Sequence, residues 1–184
     1  LGPVVDDNNN PDNPVINVRS FGEDAEIVAQ LTSAFIEGTR DSLAGSQVLT
    51  SAKHFPGHGD TDVDSHLSLP VVNHDFNRLQ SVELVPFVRA IASNVDSVMT
   101  AHLQLPKIDP DHPSTFSKVT LTGLLRHDLG FDGLIVTDAL VMGGITQKYG
   151  PYEAAVLAVE AGADVLLMPE DVEGCITAVC DAVK

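Results

Sequence analysis

The chain has 184 residues, 43% of them hydrophobic and 20% charged, the balance of a globular domain with a sizeable core and not of a disordered segment. A formal net charge of −16 argues against nucleic acid as a partner, because its phosphates would be repelled. No apolar run approaches the roughly eighteen residues that a membrane span needs, and no basic segment precedes the apolar start, so no signal peptide is visible.

In chain order, residues 1–6 (L-G-P-V-V-D) read as the tail of a buried strand ending at Asp6. An Asn/Asp/Pro-rich loop over 7–22 follows, with residue types whose side chains close turns onto their own backbone. Arg19 in that loop either grips a polar ligand with its bidentate fork or staples the loop to a nearby aspartate. Residues 24–43 carry Ile27, Val28, Leu31 and Phe35 at helical spacing behind Asp24 as N-cap.

A short strand over 48–52 comes next, then a helix over 77–93 that Pro86 should break near Leu84. Residues 96–101 form a strand ending at His102, and Ser114 or Ser117 caps a helix that runs to about 128 and stops at Gly130. A strand over 133–137 ends at Asp138. A helix over 151–161 lies between Pro151 and Gly162, a strand spans 163–168, and a last helix spans 171–183. Cys175 and Cys180 on that helix either share a face or serve as core thiols, and form no disulfide framework.

Short apolar strands alternating with longer helices predict βαβ units and a parallel sheet, hence an α/β fold. Four of the five strands end on chemistry-bearing residues: Asp6, the Lys53–His54 pair, His102 and Asp138. Polar groups gathered at the carboxyl ends of parallel strands mark the ligand face of a barrel or of a doubly wound sheet.

The densest chemistry is K-H-F-P-G-H-G-D-T-D-V-D-S-H, residues 53–66. An EF-hand would need Gly at its sixth and Glu at its twelfth position, where Ser65 and Val71 stand, so calcium is excluded. For zinc on His54, His58 and His66, the four-residue step would put the first two on one face of a helix, but Pro56, Gly57 and Gly59 interrupt it, which leaves a loop-borne metal site as the lesser alternative. Acid–base chemistry fits better, with His66 as proton donor and Asp64, two residues earlier, fixing its tautomer.

This stretch resembles the signature of family 3 glycoside hydrolases, in the β-N-acetylglucosaminidase branch. The resemblance continues through P-V-V-D, N-P-D-N-P-V-I-N-V-R-S-F-G, E-L-V-P-F, V-M-T-A-H, L-L-R-H-D-L-G-F-D-G-L-I-V-T-D-A-L and A-G-A-D-V-L-L-M-P, in order along the chain. It implies a (β/α)8 TIM-type barrel that removes terminal β-linked N-acetylglucosamine with retention, and needs no cofactor. By the same resemblance Asp138 is the nucleophile and His66 the acid/base with Asp64 as its partner. Asp6, Arg19, Lys53 and His54 hold the sugar, and His102 lines the same pocket. His58, Asp60 and Asp62 are left to shape the loop. The implied substrates are N-acetylglucosaminides, such as muropeptides in peptidoglycan recycling or chitin fragments. The implied source is bacterial, with cytoplasm and cell surface both open.

Two departures stand out. Asp7 occupies a position that is usually apolar in the family, which adds a carboxyl beside Asp6. A closed barrel takes roughly 250 residues, and the five strands correspond to about the third to seventh of eight. Residues 1–184 are therefore expected to be a portion of one catalytic domain, the missing strands being supplied by the rest of a longer chain. A phosphorylase on the same scaffold and a non-catalytic carbohydrate-binding fragment are the alternatives.

Overall fold

The computed structural model describes residues 1–40 and 47–184. Its centre is a parallel sheet of β1 (Ser51–Phe55), β2 (Ser97–Thr100) and β3 (Leu134–Val136), in that spatial order. The expected flanking strands are present as single parallel bridges, Val4 to Lys53 on one edge and Val165 to Val136 on the other. Each edge still carries ladder-like bonds: Val5 N–H donates to the Lys53 carbonyl at 2.8 Å, and Thr137 N–H to the Val165 carbonyl at 2.9 Å. The spatial order is that of five consecutive strands of an open, partial TIM-type barrel, of which three are regular. Strand β1 begins later than expected, because Val48 and Leu49 are exposed.

The helices are α1 (Ala25–Arg40), α2 (Phe76–Ser81), α3 (Val85–Ala92), α4 (Gly143–Thr146), α5 (Pro151–Ala161) and α6 (Val172–Ala182), with a π-helix at Val119–Asp128. Their ends follow the sequence signals. Asp24 Oδ1 accepts from Glu26 and Ile27 N–H at 3.0 Å, capping α1. Pro86 sits in the first turn of α3, so the expected helix divides at 82–84. Ser117 Oγ accepts from Thr120 N–H at 3.1 Å ahead of the π-helix. Gly162 closes α5 with φ 113°, a left-handed value that suits glycine. Positions 41–43 of the first predicted helix lie outside the described residues.

One helical face differs from expectation. In α1 the buried residues are Val28, Ala29, Thr32 and Ile36, while Ile27, Leu31 and Phe35 form an exposed apolar stripe at i, i+4, i+8. Periodicity marks an apolar stripe, but the approach of α3 selects which side is covered. Cys175 and Cys180 also part company, one buried and one exposed. The core runs under the sheet through Phe55, Phe87, Val98, Leu121, Leu125 and Ile135, with Phe55 and Phe87 meeting edge to face at 5.2 Å between ring centroids. Among the described residues no helix is long and apolar enough to cross a membrane.

Candidate active site

The register between β1 and β2 slips between Lys53 and Phe55, leaving His54 in an irregularity at the strand end. Such bulges re-aim side chains at the rim of a sheet. Lys53 and His54 both line a cavity of about 270 Å³ together with Val15, Arg19, His58, Ser65, His66 and Asp138. A depression of about 400 Å³ at Phe116, Val119 and Leu157 lies on the outer helices, away from the strand ends.

Asp6 is sealed behind this cavity and does not line it. Its Oδ2 is 2.8 Å from His54 Nδ1, and it accepts from His54 N–H at 3.1 Å and from His58 N–H at 2.7 Å. Burial pushes the carboxyl up, but His54 and then His58 outweigh it and hold it below the usual range. An ionised Asp6 fixes the proton on His54 Nδ1 and leaves Nε2 for the cavity. Asp6, expected to hold the sugar, uses its oxygens here in shaping the 54–58 turn.

The loop that follows is built from close approaches. A Cβ on Gly59 would lie 1.6 Å from the Asp7 carbonyl oxygen, so only glycine fits. Asn13, which the sequence did not single out, locks the loop from the other side. Its Nδ2 donates to the His58 and Gly59 carbonyls at 2.8 Å, and its Oδ1 accepts from Val15 and Ile16 N–H. The buried His58 ring bridges Thr61 Oγ1 at 2.8 Å and Ser65 Oγ at 2.9 Å. Burial pushes its pKa down, so it stays neutral. His58 shapes the loop as expected, and it also lines the cavity.

At the far end of the loop, His66 Nδ1 lies 2.7 Å from Asp64 Oδ1, which also accepts from His66 N–H at 2.8 Å. The His66 backbone N–H and then its ring hold the Asp64 carboxyl below its ordinary range, against a slight upward push from burial. An ionised partner places the proton on Nδ1 and turns Nε2 to the cavity. The loop docks on the segment beyond β3. Gly143 N–H donates to the His66 carbonyl at 3.0 Å and Gly144 N–H to the Ser65 carbonyl at 3.1 Å. A Cβ on Gly143 would come within 2.7 Å of the His66 and Leu67 carbonyls. Only the paired glycines could have signalled this dock.

Asp138, just past β3, is half-buried, and its Oδ1 accepts from Ala139 N–H at 2.8 Å. His102 does not line the cavity, contrary to expectation. It is buried, with Nε2 3.0 Å from the Ala139 carbonyl and Nδ1 2.8 Å from Thr115 Oγ1. Burial pushes its pKa down against the Ala139 carbonyl and Asp138. A neutral ring donates from Nε2 and accepts at Nδ1, so His102 braces the backbone of the residue after Asp138. Burial and then the Arg19 charge lower the Lys53 ammonium pKa, opposed by Asp138 and Asp6. Arg19 is exposed at the rim, where Nη1 donates to the Val15 carbonyl at 3.2 Å. Asp7 is buried with both oxygens unpartnered, and burial followed by Glu83, Asp6 and Asp24 pushes its carboxyl up to about 8. The added charge expected beside Asp6 is therefore a neutral carboxyl at pH 7.

A partial parallel barrel with ionisable side chains gathered beyond its strand ends is the architecture of a barrel enzyme. The Glycosyl hydrolase family 3 N terminal domain matches residues 1–184, and the chain belongs to that family. It is 44% identical to Beta-hexosaminidase A of Pseudoalteromonas piscicida, a match covering 92% of this chain and 30% of that protein. It is 49% identical to a glycoside hydrolase family 3 beta-N-acetylglucosaminidase from Paenibacillus sp. str. FPU-7, with a TM-score of 0.93 over 99% of this chain and 35% of the other. The Beta-glucoside phosphorylase BglX is 30% identical, with a TM-score of 0.91 over 100% of this chain and 34% of that one. The chain thus spans about a third of the length of these relatives.

Proposed function

We propose that residues 1–184 form the catalytic face of a retaining β-N-acetylglucosaminidase, one portion of a (β/α)8 domain whose remaining strands come from a longer chain. The observation that carries this reading is that Asp138 and His66, from separate elements, line one cavity with Arg19, Lys53 and His54. Retention needs a carboxylate close beneath the anomeric carbon and a proton donor across the scissile bond. Asp138 is the nucleophile. His66 protonates the leaving oxygen through Nε2, Asp64 stabilises the ring while it is charged, and His66 then takes a proton from the incoming water. Lys53, His54 and Arg19 supply directional donors or acceptors to sugar hydroxyls. The N-acetyl specificity is carried over from the beta-N-acetylglucosaminidase relative.

A phosphorylase is the second reading, favoured by the cations. Arg19 and Lys53 stand beside three histidines and a single carboxylate, so an incoming phosphate meets little repulsion. The full-length protein, given a nitrophenyl β-N-acetylglucosaminide, should release β-configured N-acetylglucosamine whether or not phosphate is present. Phosphate-dependent formation of the sugar 1-phosphate would establish the phosphorylase instead, and sugar binding without turnover would leave a carbohydrate-binding fragment.

A further inference from the structure

Beneath the catalytic loop, outside the cavity, lies a second cluster that the glycosidase reading does not use. Asp60, His74 and Glu83 present one ligand atom each within 4.8 Å of one another. His74 Nε2 is 2.9 Å from Asp60 Oδ2 and 3.7 Å from Glu83 Oε1. Arg78 Nη2 sits in the mirror arrangement, 2.9 Å from Glu83 Oε1 and 3.7 Å from Asp60 Oδ2. Two carboxylates are thus bridged twice, once by an imidazole and once by a guanidinium.

The cluster leaves buried polar atoms unmet. Glu83 is only 3% exposed, and its Oε2 has no hydrogen-bond partner. The buried Asp7 likewise has neither oxygen partnered, and of the charged groups around it Glu83 acts most strongly. Unsatisfied buried carboxyl oxygens are costly unless a cation or donor reaches them. Arg78 brings a guanidinium to this group, with its Nε buried and unpartnered and its side chain as a whole 37% exposed.

From this geometry we infer a divalent transition-metal site formed by Asp60 Oδ2, His74 Nε2 and the Glu83 carboxylate, which opens when Arg78 turns outward. One imidazole with two carboxylates suits zinc, cobalt or manganese better than calcium, which wants six or more oxygens. Tetrahedral zinc ligands at 2.0–2.2 Å stand about 3.4 Å apart, and the 2.9 and 3.7 Å separations bracket that spacing. The unpartnered Glu83 Oε2 provides bidentate capacity. The metal would tie Asp60, on the catalytic loop, to His74 ahead of α2 and to Glu83 between α2 and α3. The site is independent of the reaction assigned to the cavity.

The test is titration of the metal-free full-length protein with Zn²⁺ by calorimetry and with Co²⁺ by visible absorption. One equivalent should bind, with the intense d–d bands of four- or five-coordinate cobalt. His74→Ala should weaken binding at least tenfold. His66→Ala should leave it unchanged, which separates this site from the catalytic pair. Arg78→Met should tighten binding several-fold, because it removes the competing cation; a merely structural ion-pair cluster would not behave so. Absence of saturable binding in both the native protein and Arg78→Met would overturn the inference. So would binding that survives His74→Ala but is lost in His66→Ala.

Discussion

The Gly143 amide donates to the His66 carbonyl at 3.0 Å, so the loop bearing the proposed acid/base is tied to a segment five residues beyond Asp138. The segment after Asp138 and the His66 loop are joined by backbone bonds from two successive glycines, Gly143 to His66 and Gly144 to Ser65, and by Gln147 Nε2 donating to the Leu67 carbonyl. Gly143→Ala would put a Cβ within 2.7 Å of two loop carbonyls. Loop displacement should lower kcat/KM by at least tenfold while the melting temperature moves by only about 1–3 °C, since Gly143 opens a helix of one turn and is itself only partly buried. Unchanged kinetics would mean that the dock does not set His66.

The two catalytic assignments separate by leaving group. Asp138→Ala should lower kcat by roughly four orders of magnitude or more on every substrate, because no other group can form the glycosyl–enzyme bond. His66→Ala should cost ~100-fold or more on poor leaving groups and far less on nitrophenyl glycosides, which depart with little protonation. Equal losses of His66→Ala on both kinds of substrate would remove His66 from the acid/base role.

Asp64→Asn should act through His66. The amide cannot balance an imidazolium, so the protonated ring loses its support and the alkaline limb of kcat/KM should move to lower pH. A profile recorded from pH 4 to 9 checks this; a lower rate with an unmoved profile would count against the pairing.

Asp7 should weaken the fold as pH rises. Its carboxyl sits near 8 in the folded chain against an ordinary 3.8. Between those values the folded state holds a proton that the unfolded state has lost. Its contribution is therefore present below about pH 4 and fades as pH climbs through 8. Asp7→Leu should raise stability by about 2 kcal/mol at pH 8 and by little at pH 4. Equal gains at both pH values in urea titrations would show that the carboxyl is not protonated in the fold.

Gly59→Ala should fail outright. A Cβ 1.6 Å from the Asp7 carbonyl oxygen cannot be accommodated by side-chain motion, since the obstacle is backbone. A loss of about 3 kcal/mol or more, or insoluble protein, is the expected outcome. Native-like melting would mean that the loop sits elsewhere.

What could be read directly from residues is considerable. Alternating apolar segments and their caps located all the regular strands and most helices to within a few residues. Asp24, Pro86, Gly162 and Asp171 act where their local chemistry says they should. Lys53, His54, His66 and Asp138 stood out because strand ends and glycine-rich loops are where parallel α/β folds expose reactive side chains. Such signals are local: they depend on dihedral preferences and on spacing within a dozen residues.

The rest was settled by approaches between distant parts of the chain. Asp6 and His54 are 48 positions apart, yet their 2.8 Å contact makes Asp6 a brace for the turn that carries His54. Asn13 meets His58 and Gly59 across 45 and 46 positions, and His102 meets Ala139 across 37. Which stripe of α1 is covered depends on α3. The sequence alone determined the order of strands and helices and which residue types stand at the strand ends. Only the tertiary structure decided whether each of those side chains faces the cavity or is consumed behind it. Hydrogen-bond valence and burial are set by whichever groups folding brings within about 3 Å, and no local pattern encodes that.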